Sequence, residues 1–209
     1  MELLNAEDYL IVCGDFGFLF YGNVTEQLNL TTLNQMPGTL LFVDGNHENF
    51  PLINSYPVKE WNGGKVHVID SSIFHLMRGQ IFNINGNSIF TMGGGVSIDK
   101  AYRIPGFTWW SEEMPSDEEL QTGLNKLKEV GWTVDYIFTH TAPNTIQDIA
   151  IKNIVFKPYN KLSTYLEDVK NKLQYKHWYF GHYHKNETIL NNHTVLYEKV
   201  LSLGGTLND

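Results

Sequence analysis

Short, mainly apolar runs, each cut off by a turn-forming pair, mark the first part of the chain. Tyr9-Leu10-Ile11-Val12-Cys13 stops at Gly14-Asp15, and Thr39-Leu40-Leu41-Phe42-Val43 stops at Asp44-Gly45. Uninterrupted apolar runs of this length predict buried strands. Between them, Leu28, Leu30 and Leu33 recur at loose helical spacing over Thr25 to Gln35, and Pro37-Gly38 ends that helix. Four further strand candidates of the same length follow: Lys65–Ile69, Ile73–Met77, Gln80–Ile84 and Ser88–Met92. Their close spacing and turn residues such as Asn85-Gly86-Asn87 predict an antiparallel meander.

In the second half, Ser116-Asp117-Glu118-Glu119 opens a helix as a capping box, with Ser116 as N-cap and Glu119 three residues on. Leu120, Leu124 and Leu127 share one face, and Gly131 stops the helix. Tyr136-Ile137-Phe138 predicts a strand, Leu162 to Leu173 a helix, and His177-Trp178-Tyr179-Phe180 a strand ending at Gly181. Glu187 to Leu203 reads as two or three more strands. No period repeats and no linker divides the chain, so the pattern predicts one α/β domain over residues 1–209 with mixed sheets. The stretch from Gly93 to Pro115 is long for a connection in a compact domain. It reads either as a surface excursion pinned by Trp109-Trp110, or as a lid or substrate wall offering Arg103 to an anion.

Composition narrows the function classes. Of the 209 residues 42% are hydrophobic, enough for a sizeable core and too many for intrinsic disorder. A net charge of −8, with only Arg78 and Arg103 as arginines, argues against a broad nucleic-acid-binding face. The single Cys13 excludes an internal disulfide framework and fits a reducing compartment. No stretch approaches the roughly 18 apolar residues of a membrane span. Met1-Glu2-Leu3-Leu4-Asn5 lacks the basic and apolar regions of a signal peptide, so the expected location is cytoplasmic. The sequons at Asn23, Asn29, Asn186 and Asn192 therefore carry no weight. Cys13 reads as a buried small hydrophobe, Arg78 as a turn cation, and His67, His75, His177 and His193 as core or surface histidines.

Four short motifs each follow a strand candidate immediately: Gly14-Asp15-Phe16-Gly17, Gly45-Asn46-His47-Glu48, Thr139-His140 and Gly181-His182-Tyr183-His184. In α/β folds, loops at the carboxyl ends of parallel strands converge on the ligand crevice. Asp, Asn and several His form a donor set suited to borderline divalent metals. Taken singly, Gly14-Asp15 is also a plain turn and Thr139-His140 a structural pair. Gly-Asn-His-Glu and Gly-His-Tyr-His are harder to assign to packing. Adjacent Asn46 and His47 should diverge, one toward a metal and the other over the reaction centre. His182 and His184, if locally extended, share a face. Asp15 has two carboxylate oxygens and could bridge two ions.

In this order the motifs resemble the calcineurin-like metallophosphoesterase superfamily, over most of the chain. The resemblance implies a four-layer sandwich of two mixed β-sheets flanked by helices, built around two divalent ions drawn from Mn, Fe, Zn or Ni. It implies that Asp15 bridges the ions, that Asn46, His140 and His182 complete one site, and that His184 belongs to the other. It places His47 beside a phosphorylated substrate as the catalytic group. Gly93-Gly94-Gly95-Val96-Ser97-Ile98-Asp99, with Arg103 and Trp109-Trp110 after it, also resembles a bacterial and phage branch.

The family's first motif, Asp-x-His on the first core strand, is not found upstream of Gly14, and no His precedes His47. Asp8 precedes its strand rather than following one and is not a replacement. An earlier reading-frame start, a strand supplied by a partner chain, and a degenerate relative binding a single ion all fit. An uncovered strand edge favours self-association. The expected function is metal-dependent hydrolysis of a phosphate mono- or diester; the alternative is a weakly active or non-catalytic metal- or phosphate-binding relative.

Overall fold

In the computed structural model, which describes residues 4–151 and 159–207, the first two apolar runs pair in parallel as β1 (Tyr9–Cys13) and β2 (Thr39–Val43). Helix α1 (Val24–Asn34) joins them, opened by Asn23, whose side chain accepts from the Glu26 amide. After the short α2 (Phe50–Asn54), strands β3 (Val58–Trp61), β4 (Gly64–Asp70) and β5 (Ile73–Leu76) complete a sheet of order β1-β2-β5-β4-β3. Among the described residues β1 pairs on one side only, and its Tyr9, Leu10, Ile11 and Val12 are half-buried.

The second sheet holds β6 (Gln80–Ile84), β7 (Asn87–Met92), β8 (Tyr136–Thr139), β9 (His177–Phe180), β10 (Glu187–Ile189) and β11 (His193–Val195), in the order β10-β11-β9-β8-β7-β6. Strands β7, β8, β9 and β11 run parallel to their neighbours in that set. Helices α3 (Asp117–Glu129), α4 (Asn144–Ala150) and α5 (Lys161–Lys172) connect them. The capping box of α3 forms as expected: Ser116 accepts from the Glu119 amide, and the Glu119 side chain accepts from the Ser116 amide.

The expected meander is corrected. Strands β4 and β5 pair antiparallel in the first sheet, while β6 and β7 pair antiparallel in the second. The chain changes sheet at Met77–Gly79, where Arg78 turns inward to the buried Asp44 and Gly79 adopts φ 69°. This lets Phe82, Ile84 and Ile89 pack against Val66 and Leu76 of the opposite sheet. Among the described residues the tail beyond β11 forms no further strand; it is held by the Tyr179 hydroxyl, which accepts from the Gly204 amide.

Three apolar layers hold the two mixed sheets and their helices as a sandwich. Leu41, Val43, Val66, Phe82, Phe138 and Tyr179 fill the space between the sheets. Leu30, Phe42 and Ile53 pack the outer face of the first sheet against α1 and α2. Leu127, Ile146, Leu166 and Val169 cover the outer face of the second, around Trp178 and Phe180. Trp178, Phe42, Phe82, Phe90 and Phe180 are fully buried, and a side chain of that size contributes roughly 1.5–3 kcal/mol by leaving water. Among the described residues, no helix is long and apolar enough to cross a membrane.

Candidate metal centre

The ends of β1, β2, β8 and β9 bring four of the expected ligand-bearing turns together. Gly14 takes φ 88° at the end of β1, and a side chain there would collide with the His140 ring. Gly45, after β2, lies so close to Asp15 that a side chain would strike its carboxylate. The Asp15 Oδ1 atom accepts from the His47 amide at 2.9 Å, locking the first two motifs together.

Asp15, Asn46 and His140 converge on one point. The His140 Nε2 atom is 2.9 Å from Asn46 Oδ1 and 3.5 Å from Asp15 Oδ2. On its other side His140 donates from Nδ1 to the Cys13 carbonyl at 2.8 Å. In the neutral ring that bond keeps the proton on Nδ1 and leaves the Nε2 lone pair for a ligand. The Asn46 amide is oriented the same way, since its Nδ2 donates to Ser97 Oγ at 3.0 Å and leaves Oδ1 facing His140. His140 Nε2, Asn46 Oδ1 and Asp15 Oδ2 thus face one another, and either a proton on Nε2 or a bound cation links them. An imidazole nitrogen, an amide oxygen and a carboxylate oxygen are donors that fit a divalent ion. Among the described residues, no three His, Cys, Asp or Glu side chains form a metal cluster by themselves; the third donor here is an amide oxygen.

His182 packs edge-on against the His140 ring, their centroids 4.9 Å apart, without making a three-residue cluster with His140 and Asp15. His184 does not follow it. It is exposed and stacks on Tyr197 at 4.8 Å. The locally extended geometry expected for these two histidines is corrected: both have positive φ, 69° and 48°, in a bend where the Tyr183 amide donates to the Gly181 carbonyl. Asp15 also sits at φ 52°. Asp15, His182 and His184 are three of the eight described non-glycine residues with positive φ.

Electrostatics follow from burial. Burial raises the Asp15 carboxyl, but His140, the His47 amide and the His47 and His182 rings outweigh it and hold it below the ordinary value. Burial pushes His182 down to about 3, with His140 adding to it. His47, half-buried, is lowered by burial against the pull of Asp15. Asp99 and Arg103 lie within electrostatic reach of the His47 ring.

The stretch from Gly93 to Pro115 contains two 3-10 turns, Lys100–Tyr102 and Ser111–Glu113, and anchors Trp110 against Phe20. Arg103 is engaged within it: Nε and Nη2 bind Asp99 Oδ2 at 2.9 and 2.7 Å, and Nη1 donates to the Thr108 carbonyl. Cys13 is buried, with its thiol pushed up to about 12, as its reading as an inert hydrophobe requires. Arg78 is no turn cation. It is 7% exposed and paired to Asp44, because its flanking turn points inward.

Two supports went unassigned in the sequence. Glu48, buried and pushed up to about 8 by burial, accepts from the Phe16 and Gly45 amides and ties the Gly14 and Gly45 turns together. Ser97 fixes Asn46. The Glu of Gly-Asn-His-Glu was the available signal for the first, since a turn alone has no use for it.

A family model described as calcineurin-like phosphoesterase matches residues 1–186. No curated protein matches the chain in a sequence comparison. Across nearly its whole length, and with two mixed sheets carrying the motif turns at their strand ends, the chain belongs to the calcineurin-like phosphoesterase family.

Proposed function

We propose that this chain hydrolyses a phosphate mono- or diester with the help of divalent ions held at Asp15, Asn46, His140 and His182. The observation that carries this reading is the convergence of His140 Nε2, Asn46 Oδ1 and Asp15 Oδ2 at the strand ends. The family match supports phosphoester chemistry in general.

When bound, such ions supply Lewis-acid activation of water and of the phosphoryl oxygens. The chain's own residues orient and move protons. Cys13 fixes the His140 tautomer through its carbonyl, and Ser97 fixes the Asn46 amide. Asp15 holds the His47 backbone, so the His47 ring stands beside the donor group. In the free protein burial favours the neutral ring. A bound phosphoester, being anionic, favours the protonated ring, which can pass its proton to the leaving oxygen as the ester P–O bond breaks. Arg103 would have to exchange Asp99 for the substrate phosphate to join this step.

A second reading is a relative that binds one ion and turns over poorly. The position of His184, exposed against Tyr197, favours it. Elemental analysis after equilibration with Mn, together with p-nitrophenyl phosphate hydrolysis, separates the two. Near two ions per chain with turnover supports the first reading. One ion without turnover supports the second, and no bound ion overturns both.

A further inference from the structure

Arg78 lies outside the donor group, yet two routes lead from its guanidinium to Asn46. Along the first, Nε and Nη2 bind Asp44 Oδ2 at 2.9 and 2.6 Å. Asp44 is buried, its other oxygen meets His75 Nε2 at 3.1 Å, and its carbonyl accepts from the Gly94 amide at 2.9 Å. Asn46 follows two residues on. Along the second route, Nη2 donates to the Glu112 carbonyl at 2.7 Å. The adjoining Glu113 accepts from the Gly95 amide at 3.0 Å through its carbonyl, and from the Ser97 amide at 3.1 Å through Oε2. Ser97 Oγ then accepts from Asn46. A third contact, to Glu119 at 3.3 Å, anchors the guanidinium to α3.

We propose that Arg78 is a positioning residue that clamps the Asn46-His47 turn against the glycine-rich segment 93–97, and so sets the Asn46 amide. The clamp needs a planar fork of donors, which an ammonium does not provide. One cation here holds a carboxylate, a backbone carbonyl and a helix-terminal Glu in fixed relation.

Hydrogen exchange by mass spectrometry in Arg78→Ala, with Leu166→Ala as a control destabilised in the distant helix layer, reads the clamp without metal. In Arg78→Ala, exchange is expected to rise selectively in segments 44–48 and 93–97; in Leu166→Ala it rises around α5 instead. Mn affinity, which rests on the proposed function, should fall about 10–100-fold in Arg78→Ala, the usual loss when a metal ligand's supporting partner is removed, and stay near wild type in Leu166→Ala. A cavity of about 190 Å³ lined by Asp44, His67, His75, Arg78 and Glu112 adjoins the guanidinium. Millimolar methylguanidinium should therefore restore both protection and affinity in Arg78→Ala. If Arg78→Ala does not fold, Arg78→Lys carries the same comparison, with selective loss expected.

Wild-type protection in both segments overturns the proposal, and so does a uniform rise across the chain. If wild type binds no Mn, the functional reading fails while the exchange pattern still decides the clamp.

Discussion

The His140 Nδ1 atom lies 2.8 Å from the carbonyl oxygen of Cys13, a residue 127 positions away in the chain. Through this bond the last residue of β1 holds the His140 ring and, in its neutral form, leaves Nε2 as the free nitrogen. The apolar thiol of Cys13 takes no part; the backbone that the strand holds in place does.

His47 is placed beside the donor group through its backbone amide, and its ring is not among the converging donors. His47→Ala should therefore lower turnover about 10²–10⁴-fold, the usual contribution of a general acid, and leave Mn content nearly unchanged. Parallel kinetics and elemental analysis check this. Loss of the metal in that variant would make His47 a ligand instead.

Asp15 offers Oδ2 to the His140 side and Oδ1 to the His47 amide. Asp15→Ala should reduce the binding of both ions and release the Gly45-Asn46-His47 turn. Isothermal titration with Mn measures the first effect. Normal metal content in Asp15→Ala would remove the bridging role.

His193, buried in β11, is pushed down to about 4, first by burial and then by the Lys170 and His177 charges. Its Nε2 meets the Tyr175 hydroxyl at 2.9 Å, and its Nδ1 is buried without a partner. In the unfolded chain a His takes up its proton near pH 6.5. Between that value and about 4 the unfolded state holds more protons than the folded one, so this contribution to stability is lost as pH falls. Glu48, raised from 4.5 to about 8, acts with the opposite slope between those two values and so overlaps the histidine's range. Comparing wild type with His193→Gln isolates the histidine. The variant's urea midpoint should fall less between pH 6.5 and 4, and identical slopes in the two proteins would mean that His193 titrates as if exposed.

Local signals were legible wherever a short segment carries its own physics. Ser116 and Glu119 announce α3 because a capping box needs only four consecutive residues. The strands before Gly14, Gly45, His140 and Gly181 were legible as apolar runs with turn residues behind them. The assignment of β4 to β7 to two sheets was not, since antiparallel hairpins have the same local pattern whichever sheet receives them. Arg78 was misread for a related reason. Its neighbours Met77 and Gly79 specify a turn, but only Asp44, 34 positions away, makes that turn point inward.

The sequence by itself determined which residue types stand at the strand ends and in what order: Asp15, Asn46, His47, His140, His182 and His184. That follows because turn chemistry and apolar periodicity act over a few residues. Tertiary structure alone decided which of them meet. It brought Asp15, Asn46 and His140 to one point, set His182 beside them, and left His184 stacked on Tyr197. Convergence depends on the pairing order of two sheets and on buried links such as Cys13 to His140 and Arg78 to Asp44. Those links form between segments far apart in the chain, once burial makes an unpaired polar group costly.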